Sequence, residues 1–413
     1  MAEGVGGGRS GGSGPLTGWR RGLGCMTALA GGLALLVGGA WVFLSDSGYW
    51  PGASMTTAWE APYDRNANEH GNRAWLVGDT MVRSRFDAVT GFDAGSGKQR
   101  WEYVPSRADI CATSPTADQS VALLLYGEPR SDCRTLAALD LTTGRELWRT
   151  TAMAAAVETG AGLGVFLDGG DRSVRAVDLR SGAARWTAAV PKGCVAQPGL
   201  AAARHVLAVV NCGEEMKLVA FDPADGQERW TVPLDSRRGV PADTGAALVS
   251  ADPVVVRVGK EEGSGAYSYR AFGPGGRPQG VVDEVGRHGD IIDATVADGR
   301  LYATARYQGR QSTLDRFVAF DLATGEELWR EDVGGGGRLV GLHAASGRVM
   351  AIWGSSKYGD QLRVLDAATG DEEEDRAFRD SVDGVVSLFP YEDLVIVFCH
   401  GQGARPFTAY ERW

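Results

Sequence analysis

Short apolar runs bounded by Gly, Asp and Pro recur along most of the chain. They include SVALLLY (120–126), HVLAVV (205–210), PVVVRV (253–258), RLYATA (300–305) and LVIVF (394–398). Each is too short for an ordinary helix and rich in β-formers, so each predicts a strand. One run differs: 22 uncharged residues extend from Leu23 to Leu44, just after Arg20 and Arg21. A helix rises about 1.5 Å per residue, so this run matches a bilayer core of about 30 Å and predicts one transmembrane helix. Arg20 and Arg21 before it and Asp46 after it place the amino terminus in the cytoplasm and everything later outside. Residues 1–22 are dominated by Gly and Ser and read as a flexible cytoplasmic tail. A cleaved signal peptide is the alternative for 23–44, but its apolar core is shorter and no Ala-x-Ala site follows here. Cys25 stands at the start of the run, whereas a lipidated cysteine stands at its end. The segment reads as a signal anchor.

A second pattern overlies the strands. A small residue, an apolar residue, Asp, a variable stretch, Gly, three more residues and Trp recur as one unit. The copies are GFDAGSGKQRW ending at Trp101, ALDLTTGRELW at Trp148, AVDLRSGAARW at Trp186, AFDPADGQERW at Trp230 and AFDLATGEELW at Trp329. AFGPGGRPQG from Ala271 and VLDAATGDEEE from Val364 are degenerate copies that keep the spacing, with Gly273 in the Asp place of one and Glu374 in the Trp place of the other. The acids Asp93, Asp140, Asp178, Asp222, Asp321 and Asp366, with Gly273, follow one another at intervals of 38–51 residues, and Glu411 in the closing AYERW continues the series. Within each motif the sequence reads strand, tight turn, strand, with Gly where the turn needs positive φ. Four strands in about 45 residues, repeated eight times, predict an all-β, eight-bladed β-propeller over residues 45–413. Seven blades is the alternative. Trp59, in TTAWE, precedes the first complete unit, so its segment is expected to complete the last blade and hide a sheet edge.

Composition sharpens this picture without changing it. Gly occupies 59 of 413 positions, which suits many turns and argues against a helical bundle. Apart from Arg9, Arg20, Arg21 and Glu3, the chain holds 39 bases and 51 acids, a net charge of −12 for residues 45–413. Nucleic-acid binding through the phosphate backbone is therefore excluded as a reading.

The A-x-D-x-x-T-G-x-x-x-W pattern resembles the repeat of pyrroloquinoline-quinone enzymes and of related non-enzymatic propellers of bacterial envelopes, over roughly residues 85–413. The resemblance implies that Trp101, Trp148, Trp186, Trp230 and Trp329 pack between neighbouring blades against the turn of the adjoining motif. It also implies what an enzyme of this class would carry: adjacent cysteines against the cofactor, and calcium ligands that include acids and amides with an Asp base. No two cysteines are adjacent here, and Asn beyond residue 45 is confined to Asn66, Asn68, Asn72 and Asn211. The five histidines, His70, His205, His288, His343 and His400, are scattered through different units. No cofactor and no metal are therefore expected, and the repeat Asp residues read as turn acceptors.

Cys111 and Cys194 occupy the innermost-strand place of their units, and Cys133 and Cys212 follow the second strand. In an oxidising exterior this predicts disulfides Cys111–Cys133 and Cys194–Cys212. Cys399 has Ser381 and Val382 where its partner would be and reads as a buried free thiol. The function expected is a membrane-anchored binding or scaffolding propeller for a protein or envelope component outside the cell. A small-ligand sensor or quinone-dependent dehydrogenase is the alternative. The weak units, around 266–285 and 366–380, are the expected partner contact, with Asp371–Asp375 as a solvated acidic rim.

Overall fold

The structure, a computed structural model, describes residues 54–64, 72–129, 132–170, 172–235, 240, 244–259, 267–309, 313–335, 337–355, 359–400 and 405–412. The expected tail at 1–22 and membrane helix at 23–44 lie outside the described residues. No described helix is long and apolar enough to cross a membrane.

Every described element is a strand, and within each four-strand group strands adjacent in sequence pair antiparallel. The apolar runs named above are the second strands of their sheets, buried on both faces: Val121–Leu125 and Val206–Val210 are at most 5% exposed. A strand covered on both sides reads as a continuous apolar run, where a half-exposed strand would alternate. Four-strand meanders repeat along the chain at 73–103, 109–151, 154–189, 195–233, 246–283, 289–335 and 337–378. The last meander is built from both ends of the unit: Val385–Tyr391, Leu394–Cys399 and Phe407–Glu411 are completed by Ser54–Glu60. Thr56 pairs with Glu411 and Trp59 with Ala409, so the segment around Trp59 is the outer strand of this eighth group. Its free side lies beside Glu372–Phe378, which joins the seventh and eighth groups into one eight-stranded sheet. The fold is thus an all-β array of repeated four-stranded sheets, as in a β-propeller.

The core is divided among the joints. Each hydrophobic cluster draws on two neighbouring groups. Leu123, Leu136 and Val157, Phe166 join groups two and three; Tyr302, Phe317 and Val349, Leu365 join six and seven. The cluster of Ile396, Phe398 and Phe407 takes in Met81 and Phe92, joining the eighth group to the first.

The conserved geometry of each joint explains the motif. In groups one, two, three, four, six and seven the turn Gly (97, 144, 182, 226, 325, 370) has φ between +68° and +80°. Five of these glycines lie under an indole from the preceding group: Trp59 on Gly97, Trp101 on Gly144, Trp148 on Gly182, Trp186 on Gly226 and Trp329 on Gly370. Any Cβ there would fall inside the ring, so the position needs Gly for space as well as for φ. Trp230 lies likewise on Gly276. Five indoles donate from Nε1 to the carbonyl after the repeat Asp or its equivalent: Trp59 to Ala94 (3.0 Å), Trp148 to Leu179 (2.9 Å), Trp186 to Pro223 (2.8 Å), Trp230 to Pro274 (3.0 Å) and Trp329 to Ala367 (3.1 Å).

The degenerate copies depart from expectation. The fifth group does not keep the spacing: Gly273 N–H donates to Arg277 O, where Asp222 N–H donates to Gln227 O, so its turn is one residue shorter. Gly280 then stands in the Trp place, and its backbone N–H donates directly to Leu322 O at 3.0 Å, the carbonyl an indole would have met. In the seventh group Glu374 pairs with Arg412, the residue after Glu411, and both side chains are under 10% exposed. A buried ion pair takes the place of the indole.

Candidate functional site

An antiparallel meander puts its first and third turns at one end and its middle loop and exit connection at the other. Here the first kind are tight, such as Gly78-Asp79, Ala161-Gly162 and Ser346-Gly347. The second kind include the longest connections, such as 128–134, 259–267 and 400–406. The groups therefore present a short-turn face and a long-loop face.

The repeat Asp residues belong to the short-turn face. Asp93 Oδ1 accepts from Ser96 N (2.8 Å) and Oγ (2.7 Å), and its other oxygen accepts from Arg100. Asp178 does the same with Ser181 and Arg185, Asp140 accepts from Thr142 and Thr143, and Asp222 accepts from Ala224 N and pairs with Arg229. Asp321 accepts from Thr324 N and Asp366 from Ala368 N and Thr369 N. These donors favour the charged carboxylate. Arg185 and Ser181 hold Asp178 well below the usual range, and the hydrogen bonds from Arg100 hold Asp79 at about 2. Asp93, Asp178 and Asp222 thus have both carboxylate oxygens engaged within their own motif.

The long-loop face is chemically different. Among the described residues, seven of the nine exposed large hydrophobic side chains sit at its strand ends and connections: Tyr63, Val104, Met153, Val285, Ile292, Tyr307 and Val386. Three Arg–Tyr stacks stand there too. Arg405 lies 4.2 Å from the Tyr63 ring centroid, Arg257 4.2 Å from Tyr267 and Arg316 4.3 Å from Tyr307. Each guanidinium also pairs with an acid: Glu60 at 3.1 Å, Glu284 at 3.3 Å and Asp332 at 2.8 Å respectively. Tyr and Arg held rigidly in this way lose little side-chain entropy when they meet a partner. Beside Tyr63, Asp64 bridges Arg83 (2.9 Å) and Arg85 (3.2 Å), and Arg83, only 2% exposed, also donates to Asn72 Oδ1 at 2.8 Å. Sequence reading did not find this face, because its residues belong to five different units and follow no motif. The length of the loops was the available signal.

Two disulfides staple loops of this face, Cys111–Cys133 and Cys194–Cys212. Cys399 is a free, buried thiol whose pKa burial pushes up to about 11. The expected acidic rim is internally neutralised. Arg348 holds Glu373, Arg363 holds Glu372 and Asp375, and Arg412 holds Glu374. Among the described residues no three His, Cys, Asp or Glu side chains gather as metal ligands. His205 packs on Trp230, His288 on Phe320, and His400 Nε2 meets Asn72 Nδ2 at 3.4 Å. His70, Asn66 and Asn68 lie outside the described residues.

A family model described as outer membrane protein assembly factor BamB matches residues 85–313. The chain belongs to this family of pyrroloquinoline-quinone-like repeats. A curated relative, the outer membrane protein assembly factor BamB of Nitrosomonas eutropha, is 28% identical over 213 residues, covering 48% of this chain and 47% of the relative. The chain thus spans about half the length of the curated relative it matches. Among solved structures, BamB from Moraxella catarrhalis has a TM-score of 0.52 at 16% identity, over 86% of this chain and 99% of that one. The computationally designed Ika8 protein has a TM-score of 0.56 at 14% identity, over the same shares. At these identities the two structures speak for the fold of the repeat family alone.

Proposed function

We propose that this protein is a membrane-anchored scaffold: residues 45–413 close into an eight-bladed propeller outside the cell, held by a helix over 23–44, and engage a protein partner through the long-loop face. The carrying observation is the gathering of exposed apolar side chains and Arg-braced tyrosines on that face, the residue types that dominate protein interfaces. Closure into eight blades is supported by the cluster that joins the eighth group to the first and by Trp59 seated on Gly97. The outside location is supported by Arg20 and Arg21 before the apolar run and by the disulfides, which persist in oxidising compartments. A role in binding, with no reaction catalysed, is supported by a relative named as an assembly factor. The identity of the partner does not carry over at half coverage.

The test is site-specific photo-crosslinking in intact cells. A benzophenone side chain at Tyr63, Val104 or Met153 should yield discrete protein adducts, and the same probe at the short turns near Ala161 and Ser346 separates loop-face contacts from general exposure. Adducts from the short turns alone would overturn the choice of face. The purified protein with added quinone and calcium should reduce no dye; saturable dye reduction would overturn the binding role.

A further inference from the structure

Outer strands of stacked sheets are exposed edges, and edges are ordinarily blunted by charge. Here Gln99–Tyr103 carries Arg100 and Glu102, Arg145–Thr151 carries Arg145, Glu146 and Arg149, and Ala184–Ala189 carries Arg185. Glu228–Pro233 and Glu327–Gly335 are charged as well, and Glu372–Phe378 is covered by Ser54–Glu60. Pro278–Asp283, the outer strand of the fifth group, has no Lys, Arg or Glu and is charged only at Asp283, its last residue. It pairs on one side only, with Ser268–Phe272. Val281 in it and Val285 just beyond are 44% and 58% exposed.

Clefts open on both faces of this one edge. On the side of the sixth group a cleft of about 570 Å³ is lined by Val282, Val285, His288, Phe320 and Glu326. On the side of the fourth group a cleft of about 650 Å³ is lined by Leu234, Phe272, Val281 and the Arg270–Asp235 pair. At this joint no indole intervenes: the sixth group's turn packs directly on the backbone of Gly280 and Val281, and the first cleft opens beside that contact. An added strand sends alternate side chains to opposite faces of a sheet, so paired clefts flanking a free edge are what such a strand needs. Asp283 borders both clefts and Glu326 borders the first, and among the described residues neither carboxylate has an ion-pair partner. Arg287, at the loop end of the first cleft, is the single base left against them, since Arg330 is held by Glu327 and Arg270 by Asp235.

We propose that Pro278–Asp283 is a docking edge that takes an extended segment of a partner protein as a fifth strand, with apolar side chains in alternation and Lys or Arg beside Asp283 and Glu326. The inference rests on the scaffold reading but uses a site apart from the long-loop stacks. The probe is a fluorescein-labelled peptide of alternating Lys and Val, with two controls: alternating Glu and Val, and the Lys–Val peptide N-methylated at every second amide. Anisotropy with the full-length protein should show saturable binding by the Lys–Val peptide, weakened about tenfold or more by N-methylation and by Glu for Lys. Amide exchange should slow at 281–283 when the peptide is bound, while Gly280, already bonded to Leu322 O, should change little. Val281→Lys, at an exposed position, should lower affinity about tenfold with an unchanged melting curve, and Asp283→Asn should lower it for the Lys–Val peptide. No saturable binding, binding indifferent to N-methylation and Val281→Lys, or protection elsewhere would overturn the proposal. So would sedimentation showing that the edge is occupied by a second copy. Loop-face crosslinks persisting in the Val281→Lys protein would leave the scaffold reading standing when this one fails.

Discussion

At Trp148 the side chain closes a joint between two sheets: its ring lies on Gly182 and its Nε1 meets Leu179 O at 2.9 Å. Trp148→Ala should cost about 3 kcal/mol, as large-to-small changes in packed sites do, read from denaturant midpoints. Gly182→Ala should be comparably harmful, because its Cβ meets the same ring and its φ of +72° is strained for Ala. Glu374 is the informative contrast. Glu374→Ala removes the buried carboxylate that Arg412 meets and should cost about 3 kcal/mol, although no indole is lost. If the seventh joint were merely relaxed, the change would be near neutral. The repeat acids set the pH response. Asp93, Asp178, Asp222 and Asp366 titrate below their ordinary values because turn donors or Arg hold them, as Arg100 holds Asp79 at about 2. A carboxyl lowered on folding stabilises the fold above its unfolded pKa, about 4, and loses that contribution as the pH falls towards the folded value. Melting temperature should therefore be flat near neutrality and fall below about pH 4. The deficit of Asp79→Asn should be full at pH 7 and shrink towards pH 2. Glu158, raised by burial, works in the opposite sense.

At the scale of elements the first strand and the two staples matter most. Ser54–Glu60 supplies the outer strand of the eighth group, the indole for the Gly97 turn and a neighbour for Glu372–Phe378. Deleting 54–60 should lower the melting temperature of the whole domain in a single transition; an unchanged melt would show that the strand is dispensable. The disulfides close loops with sequence separations of 22 and 18. Removing either pair by Cys→Ser should cost about 3 kcal/mol, measured on the oxidised protein against the double variant. Peptide mapping without reductant should find both bridges and leave Cys399 unmodified until the protein is unfolded, since it is buried and its thiol is shifted to about 11.

For the whole molecule, the two ends of the chain and the two faces of the array define the testable claims. Membrane fractions should retain the protein after carbonate washing, and deletion of 23–44 should release it. Release of the intact chain by carbonate would remove the anchor from the proposal. A net charge of −12 over residues 45–413 should keep the released domain soluble and weakly attracted to anionic lipid.

The repeat of Asp, Gly and Trp by itself determined the strand type, the unit length, the closing role of Trp59 and the cysteine pairs. Those features rest on contacts that recur at fixed spacing, so one local pattern repeats them. Tertiary structure alone decided how the broken copies are mended: Gly280 through a backbone hydrogen bond to Leu322, and Glu374 through Arg412, 38 residues later. It alone brought Tyr63 to Arg405 and stacked Tyr307 on Arg316, and it alone opened clefts on both sides of Pro278–Asp283. Such contacts join residues whose partner is fixed by how one sheet is rotated against the next. A repeat encodes that rotation only on average, and the exceptions to the average are the joints that depart from the motif.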